Sequence, residues 1–166
     1  DEVKQFLDLT KRVTPTKGQV FKDSKMVIDE QYRDVDVYYI ESEEEALYEV
    51  LQKVAQTSNS YFNYEINGIE KAQVMKYTAP SNGYSWHIDI GAEGISANRK
   101  IAVSILLNED YEGGEMAFRT AEQIEKVKPK TGEVVAFSSF ISHSVRPVTK
   151  GKRYVVVAWF TGPHFR

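Results

Sequence analysis

The first third of the chain carries apolar residues at helical spacing. In "DEVKQFLDLTKRV", Val3, Phe6, Leu7 and Val13 fall near one face of a 3.6-residue repeat, which predicts part of a helix over 1–13. "SEEEALYEVLQKVAQ" predicts a second helix, with Ala46, Leu47, Val50, Leu51 and Val54 as its apolar stripe. Ser42 and Glu45 have the spacing of a capping box ahead of that stripe, and Glu43, Glu44 and Glu45 suit the positive end of a helix. Between the two, "TPTKGQVFKDSK" is rich in turn formers and reads as loop, and "VDVYYI" (35–40) reads as a strand.

After residue 60 the period shortens. "SYFNYEI", "KAQVMKY", "YSWHIDI", "KIAVSILL", "EMAFRT", "EVVAFSS" and "KRYVVVAWF" are rich in β-branched and aromatic residues, and Gly, Asn or Pro turns separate most of them. Short strands at this spacing predict a mainly β fold, a double-sheet jelly roll or a barrel, with the N-terminal helices covering the outside of one sheet. No linker divides the chain. A single domain over 1–166 is expected, with 1–60 as helical and strand support and 61–166 as the core.

Composition narrows the partners. With 42% hydrophobic and 27% charged residues the chain has the make-up of an ordinary globular protein. A net charge of -3 offers no basic surface for nucleic acid or an anionic membrane, and no apolar run is long enough to span a bilayer. Cysteine is absent, so disulfides and thiolate metal sites are excluded; a cytoplasmic setting fits. No signal-peptide pattern is visible, and the first residue is Asp1 rather than methionine, as expected of a trimmed start.

Candidate chemistry begins in "YSWHIDIG", where Trp86, Ile88 and Ile90 alternate against Ser85, His87 and Asp89. On a regular strand residues i and i+2 share a face, so His87 and Asp89 converge. A His-x-Asp pair arises in roughly one shuffled sequence in seven of this composition, so it needs a third ligand to mean anything. His143, in "FSSFISHSVRPV", follows an apolar strand and supplies one; His164, near the end in "TGPHFR", reads as a surface residue. Two histidines and one carboxylate without cysteine are the facial ligand set of non-haem Fe(II), although zinc accepts the same donors.

"QVMKY", "YSWHID", "RKIAVSILLN", "YEGGEMAF", "GEVVAFSSFISHSV" and "GKRYVVVAWF" occur in an order that resembles the 2-oxoglutarate- and Fe(II)-dependent oxygenases, and among them the prolyl 4-hydroxylase-like branch with its short bacterial and phage members. The resemblance runs from Met75 to Arg166. It implies a double-stranded β-helix (jelly roll) core, with Fe(II) held by His87, Asp89 and His143. It also implies 2-oxoglutarate as co-substrate and ascorbate as reductant. Arg153, ten residues after His143, stands where the family keeps the basic residue that grips the distal carboxylate of 2-oxoglutarate. A buried dianion needs such a partner, and guanidinium can clamp it bidentately. Tyr77, ten residues before His87, stands where family members place a tyrosine that donates to the same carboxylate. Trp159 shares a strand face with Arg153, Val155 and Val157, beside the co-substrate. Ser104 and Leu106 are expected on the pocket floor, and Gln73 near Tyr77. Gly113 and Gly114 read as a tight turn, because no helix follows to make a phosphate site.

The reaction implied is hydroxylation of a C–H bond coupled to decarboxylation of 2-oxoglutarate to succinate. The branch points to a prolyl residue in a peptide or protein as substrate. A free amino acid hydroxylase on the same fold and a non-catalytic jelly-roll binding module are the alternatives. The segments 91–98 and between Val20 and Asp36 are expected to face the substrate. Tyr84 and Tyr111 are candidate groove walls, and strand parity turns Trp86 away from His87.

Overall fold

A computed structural model describes residues 1–165. Helix α1 spans Glu2–Leu9, and strands β1 (Thr16–Lys17), β2 (Gln19–Lys22), β3 (Lys25–Ile28), β4 (Arg33–Asp34) and β5 (Asp36–Tyr39) follow. Helix α2 (Glu45–Phe62) leads into β6 (Gly68–Ile69), β7 (Gln73–Thr78) and β8 (Gly83–His87). A short 3-10 turn over Ile95–Asn98 precedes β9 (Arg99–Leu106), β10 (Tyr111–Gly113), β11 (Met116–Thr120) and β12 (Gln123–Val127). The chain continues through β13 (Val134–Ser138), β14 (Ser142–Val145) and the long β15 (Val148–Thr161).

The strands form the two facing sheets of a jelly roll. The major sheet runs β1-β5-β7-β15-β9-β13, with β6 and β10 also paired to β15. The minor sheet runs β12-β11-β14-β8-β4. Strands β7, β9 and β15 are apolar on both faces because both are covered. Their outward set, including Val74, Ile101, Val103, Ile105, Val156, Ala158 and Phe160, packs with Phe6 and Leu9 of α1 and Leu47 and Leu51 of α2. Their inward set, including Met75, Tyr77, Ala102, Leu106, Val155 and Trp159, packs in the interior with Val145 of the minor sheet. The expected placement of both helices on one sheet is therefore observed, and it leaves the inner face of that sheet free to line a site.

Several local expectations are corrected. The capping box does not form: α2 starts at Glu45 with Glu44 in the cap position, and the Ser42 hydroxyl lies 3.4 Å from Glu43 Oε2. "SYFNYEI" is not a strand. Helix α2 continues to Phe62 and stops at Asn63, in the left-handed region at φ 53°, where the Asn59 side chain bonds both the N–H and the carbonyl of Tyr64. "TPTKGQVFKDSK" is not loop throughout: β2 and β3 form a separate hairpin closed by Asp23 and Ser24, both at positive φ (51° and 62°). Such two-residue turns suit hairpin twist, but Asp-Ser lacks the glycine that usually signals one.

Candidate active site

The cavity between the sheets is lined by side chains from both. His87 and His143 come from the minor sheet, where they are directly opposed on β8 and β14. Met75 and Tyr77 of β7, Ser104 of β9 and Arg153, Val155 and Trp159 of β15 come from the major sheet. His164 is exposed and lies away from this group.

His87, Asp89 and His143 converge, with one ligand atom of each within 4.8 Å of the others. Asp89 Oδ1 lies 3.6 Å from His87 Nε2, and its Oδ2 lies 3.5 Å from His143 Nε2. His87 Nδ1 is 2.7 Å from the Ser85 carbonyl and His143 Nδ1 is 2.9 Å from that of Ile141. A carbonyl can only accept, so Nδ1 carries a proton in both rings, and Nε2 is the atom each neutral ring would offer at the shared spot. Burial, the largest influence, lowers the His143 pKa, and His87 acts in the same direction while the Asp89 charge opposes both. Burial would raise the Asp89 pKa, but His87 and His143 beside it outweigh that and hold the carboxyl below its ordinary value. Two imidazole Nε2 atoms and one carboxylate thus point at one place, the donor set a divalent cation takes up.

The convergence does not arise by the route that strand parity suggests. Strand β8 ends at His87, so Asp89 lies beyond it, its N–H donating to the Ser139 carbonyl at 2.9 Å. Ile88, which strand alternation would set with Trp86 on the face opposite His87, is 50% exposed. A register shift also interrupts the β8–β14 ladder: His143 opposes His87, but Val145 opposes Tyr84. The extra residue on β8 makes a bulge, which reverses parity across it. Tyr84 therefore shares a face with His87 and stacks on it, with ring centroids 3.6 Å apart and planes 14° apart. Gly83 starts this strand at φ +76° against the backbone carbonyl of Val145, a position with no room for a Cβ. Burial pushes the Tyr84 hydroxyl up to about 12, so it is a donor throughout the physiological range.

Arg153 is 1% exposed, its Nε has no hydrogen-bond partner, and none of the ion pairs among the described residues includes it. A buried cation left so costs several kcal/mol unless an anion joins it (on the order of 3–5). The donor set and this orphaned guanidinium fit Fe(II) and the dianion 2-oxoglutarate. Tyr77 is the cross-strand partner of Arg153, and its hydroxyl points to Met75 Sδ at 3.9 Å, a weak contact that a carboxylate oxygen would displace. Burial raises the Tyr77 pKa, keeping it protonated. Ser104 and Trp159 line the cavity. Leu106 is fully buried in the interior cluster beside it rather than on its wall. Gln73 is buried at the far end of β7, also off the wall. Gly114 is closer to the chemistry than its sequence reading implies: at φ +68°, a Cβ there would sit 2.9 Å from Arg153 Cδ.

Residues 72–161 match the sequence model of the 2OG-Fe(II) oxygenase superfamily, more than half of the chain. The chain belongs to that superfamily. A PKHD-type hydroxylase of Prochlorococcus marinus (strain NATL1A) is 38% identical over 80 residues, 47% of this chain and 36% of that protein. Human prolyl 3-hydroxylase 2 is 40% identical over 68 residues, 38% of this chain and 10% of that protein. The chain thus spans about a third of the length of the first of these relatives. Among solved structures, a Trichoplax adhaerens prolyl hydroxylase in complex with a hypoxia inducible factor peptide fragment superposes with a TM-score of 0.74. The identity is 22%, covering 96% of this chain and 76% of that one. A Pseudomonas putida prolyl-4-hydroxylase gives 0.72 at 19% identity, covering 98% and 84%. These superpositions show the oxygenase jelly roll. No helix among the described residues is long and apolar enough to cross a membrane.

Proposed function

We propose that this 2OG-Fe(II) oxygenase hydroxylates a prolyl residue within a peptide or protein, as one domain over 1–166. The observation that carries the reading is the pairing of one metal-competent triad with one unpaired buried cation on a single cavity. His87, Asp89 and His143 would hold Fe(II), and Arg153 with Tyr77 would anchor the far carboxylate of 2-oxoglutarate, flanked by Trp159 and Ser104. With dioxygen as the oxidant, Fe(II) and 2-oxoglutarate bound there would supply the chemistry that converts a C–H bond to C–OH: one oxygen atom enters the product and the other enters succinate as 2-oxoglutarate loses carbon dioxide. The side chains set the geometry: Tyr84 braces the His87 ring, the two backbone carbonyls hold both Nδ1 protons, and the apolar lining excludes water from Arg153.

Two features support an extended substrate over a free amino acid. The charged groups of the cavity wall are the triad and Arg153, which leaves none there to pair with a zwitterion. Outside it, the β2–β3 hairpin carries Phe21, Met26 and Ile28 at 73%, 56% and 56% exposure. Its root is tied to the site by Arg33, which donates to the Gln19 carbonyl at 2.8 Å and lies 4.8 Å from the Tyr84 ring centre. The relatives, prolyl and PKHD-type hydroxylases, point the same way. Proline-containing peptides and free amino acids offered side by side, with succinate formation and product mass followed, test the proposal. One added oxygen on a prolyl residue supports it. Turnover of a free amino acid with no peptide product overturns it.

A further inference from the structure

Of the three triad residues, two are held by strand pairing and one is not. His87 and His143 are partners in the β8–β14 ladder. Asp89 lies past the end of β8, and its position depends on contacts from elsewhere. Those contacts converge on Arg99, the first residue of β9. Arg99 Nη1 donates to the Asp89 carbonyl at 3.1 Å. The Arg99 carbonyl accepts from the Ser139 hydroxyl at 2.6 Å, and the Ser139 carbonyl accepts from the N–H of Asp89 at 2.9 Å and of Ile90 at 3.1 Å.

Arg99 is itself fixed by Glu70, in the segment between β6 and β7. The two Glu70 oxygens accept from Arg99 Nε and Nη2, both at 2.7 Å, a bidentate fork that sets the plane of the guanidinium. The side chains are only 18% and 9% exposed. The same guanidinium lies 3.9 Å over the ring of Trp159, on the cavity wall, and the Glu70 N–H donates to the Trp159 carbonyl at 2.9 Å. With two of its nitrogens held by Glu70, Arg99 can present Nη1 to the Asp89 backbone in one direction only.

We infer that the Glu70–Arg99 ion pair is the positioning device for the Asp89 carboxylate. It fastens the Asp89 turn, on the minor-sheet side of the cavity, to β15 and β9 of the major sheet. This rests on the reading of Asp89 as a metal ligand. Neither Glu70 nor Arg99 is a ligand; they act on the metal through the angle at which Asp89 meets it. Outer-shell partners of this kind set metal affinity by about 10–100-fold.

The test uses Glu70→Gln, which keeps a hydrogen-bonding shape and removes the charge, and Arg99→Lys, which keeps the charge and removes the fork. Co(II) affinity is titrated on each metal-free variant, its visible spectrum recorded, and the metal-free melting temperature measured as a check on folding. Both variants should bind Co(II) about tenfold or more weakly, with an altered ligand-field spectrum. Folded variants with wild-type Co(II) affinity and spectrum overturn the inference, as does Arg99→Lys matching wild type. His143→Ala is run in parallel. If it too keeps Co(II) affinity, the metal-site reading itself has failed; if it alone loses the metal, only the positioning role has.

Discussion

Arg153 and Tyr77 are direct cross-strand partners on β15 and β7, and the guanidinium carbon of Arg153 lies 5.5 Å from the centre of the Tyr77 ring. Both are buried and both face the cavity. Their separation is therefore set by the hydrogen-bonded ladder at the middle of the major sheet, a paired scaffold suited to gripping a small dianion.

Removing the cation should cost most of that grip. Arg153→Ala is expected to leave metal bound and weaken 2-oxoglutarate by about 2–5 kcal/mol. Tyr77→Phe removes one hydrogen bond to a charged group, about 1.5–3 kcal/mol. Anaerobic calorimetric titration of the Mn(II) form measures both. Arg153→Met, which deletes an unpaired buried charge and keeps volume, should melt no lower than wild type without ligands.

Each ligand should be needed for the metal. His87→Ala, Asp89→Ala and His143→Ala are expected to abolish metal-dependent succinate formation and to lose bound iron on dialysis. His164→Ala, at an exposed position away from the cavity, should retain both.

Acid should destabilise the metal-free protein in two stages. His143 titrates below its ordinary 6.5 because burial penalises the imidazolium. The unfolded chain then takes up that proton first, so the His143 contribution to stability is full above about 6.5 and is lost as pH drops from there to the folded value. Asp89 titrates below 3.8, so its contribution holds above 3.8 and is lost as pH falls through its lowered folded value. Melting temperature against pH should show both declines, and His143→Gln should remove the first.

Gly114 should resist substitution for two reasons. Its φ of +68° costs a β-carbon about 1–2 kcal/mol, and that carbon would press on Arg153 Cδ. Gly114→Ala is expected to lower both the melting temperature and 2-oxoglutarate affinity. Gly94→Ala, whose Cβ meets nothing within 4 Å, should affect the melting temperature alone.

The hairpin tests the substrate class separately from the chemistry. Replacing Phe21 and Met26, cross-strand partners on β2 and β3, with Ser should raise the KM for a proline-containing peptide. Affinity for 2-oxoglutarate should stay as in wild type, because neither residue lines the cavity.

Periodicity alone determined the layers of this protein. Strands β7, β9 and β15 pair regularly through the stretch that lines the site, so alternate residues belong to opposite faces, and the resemblance to the oxygenases assigned Tyr77, Ser104, Arg153 and Trp159 to the inner one. The stripe Leu47, Val50, Leu51 and Val54 likewise marked the helix that covers the outer face. Parity holds only while a ladder is regular, and at β8 it is not. The bulge brings Tyr84 onto the face of His87, and the strand's early end leaves Asp89 to be aimed by others. No residue type announces a bulge, and none announces that Glu70 will meet Arg99 from 29 positions away. Such contacts depend on which strands become neighbours and in what register. Only the folded chain settles that, because it comes from packing two whole sheets together rather than from any local run of residues.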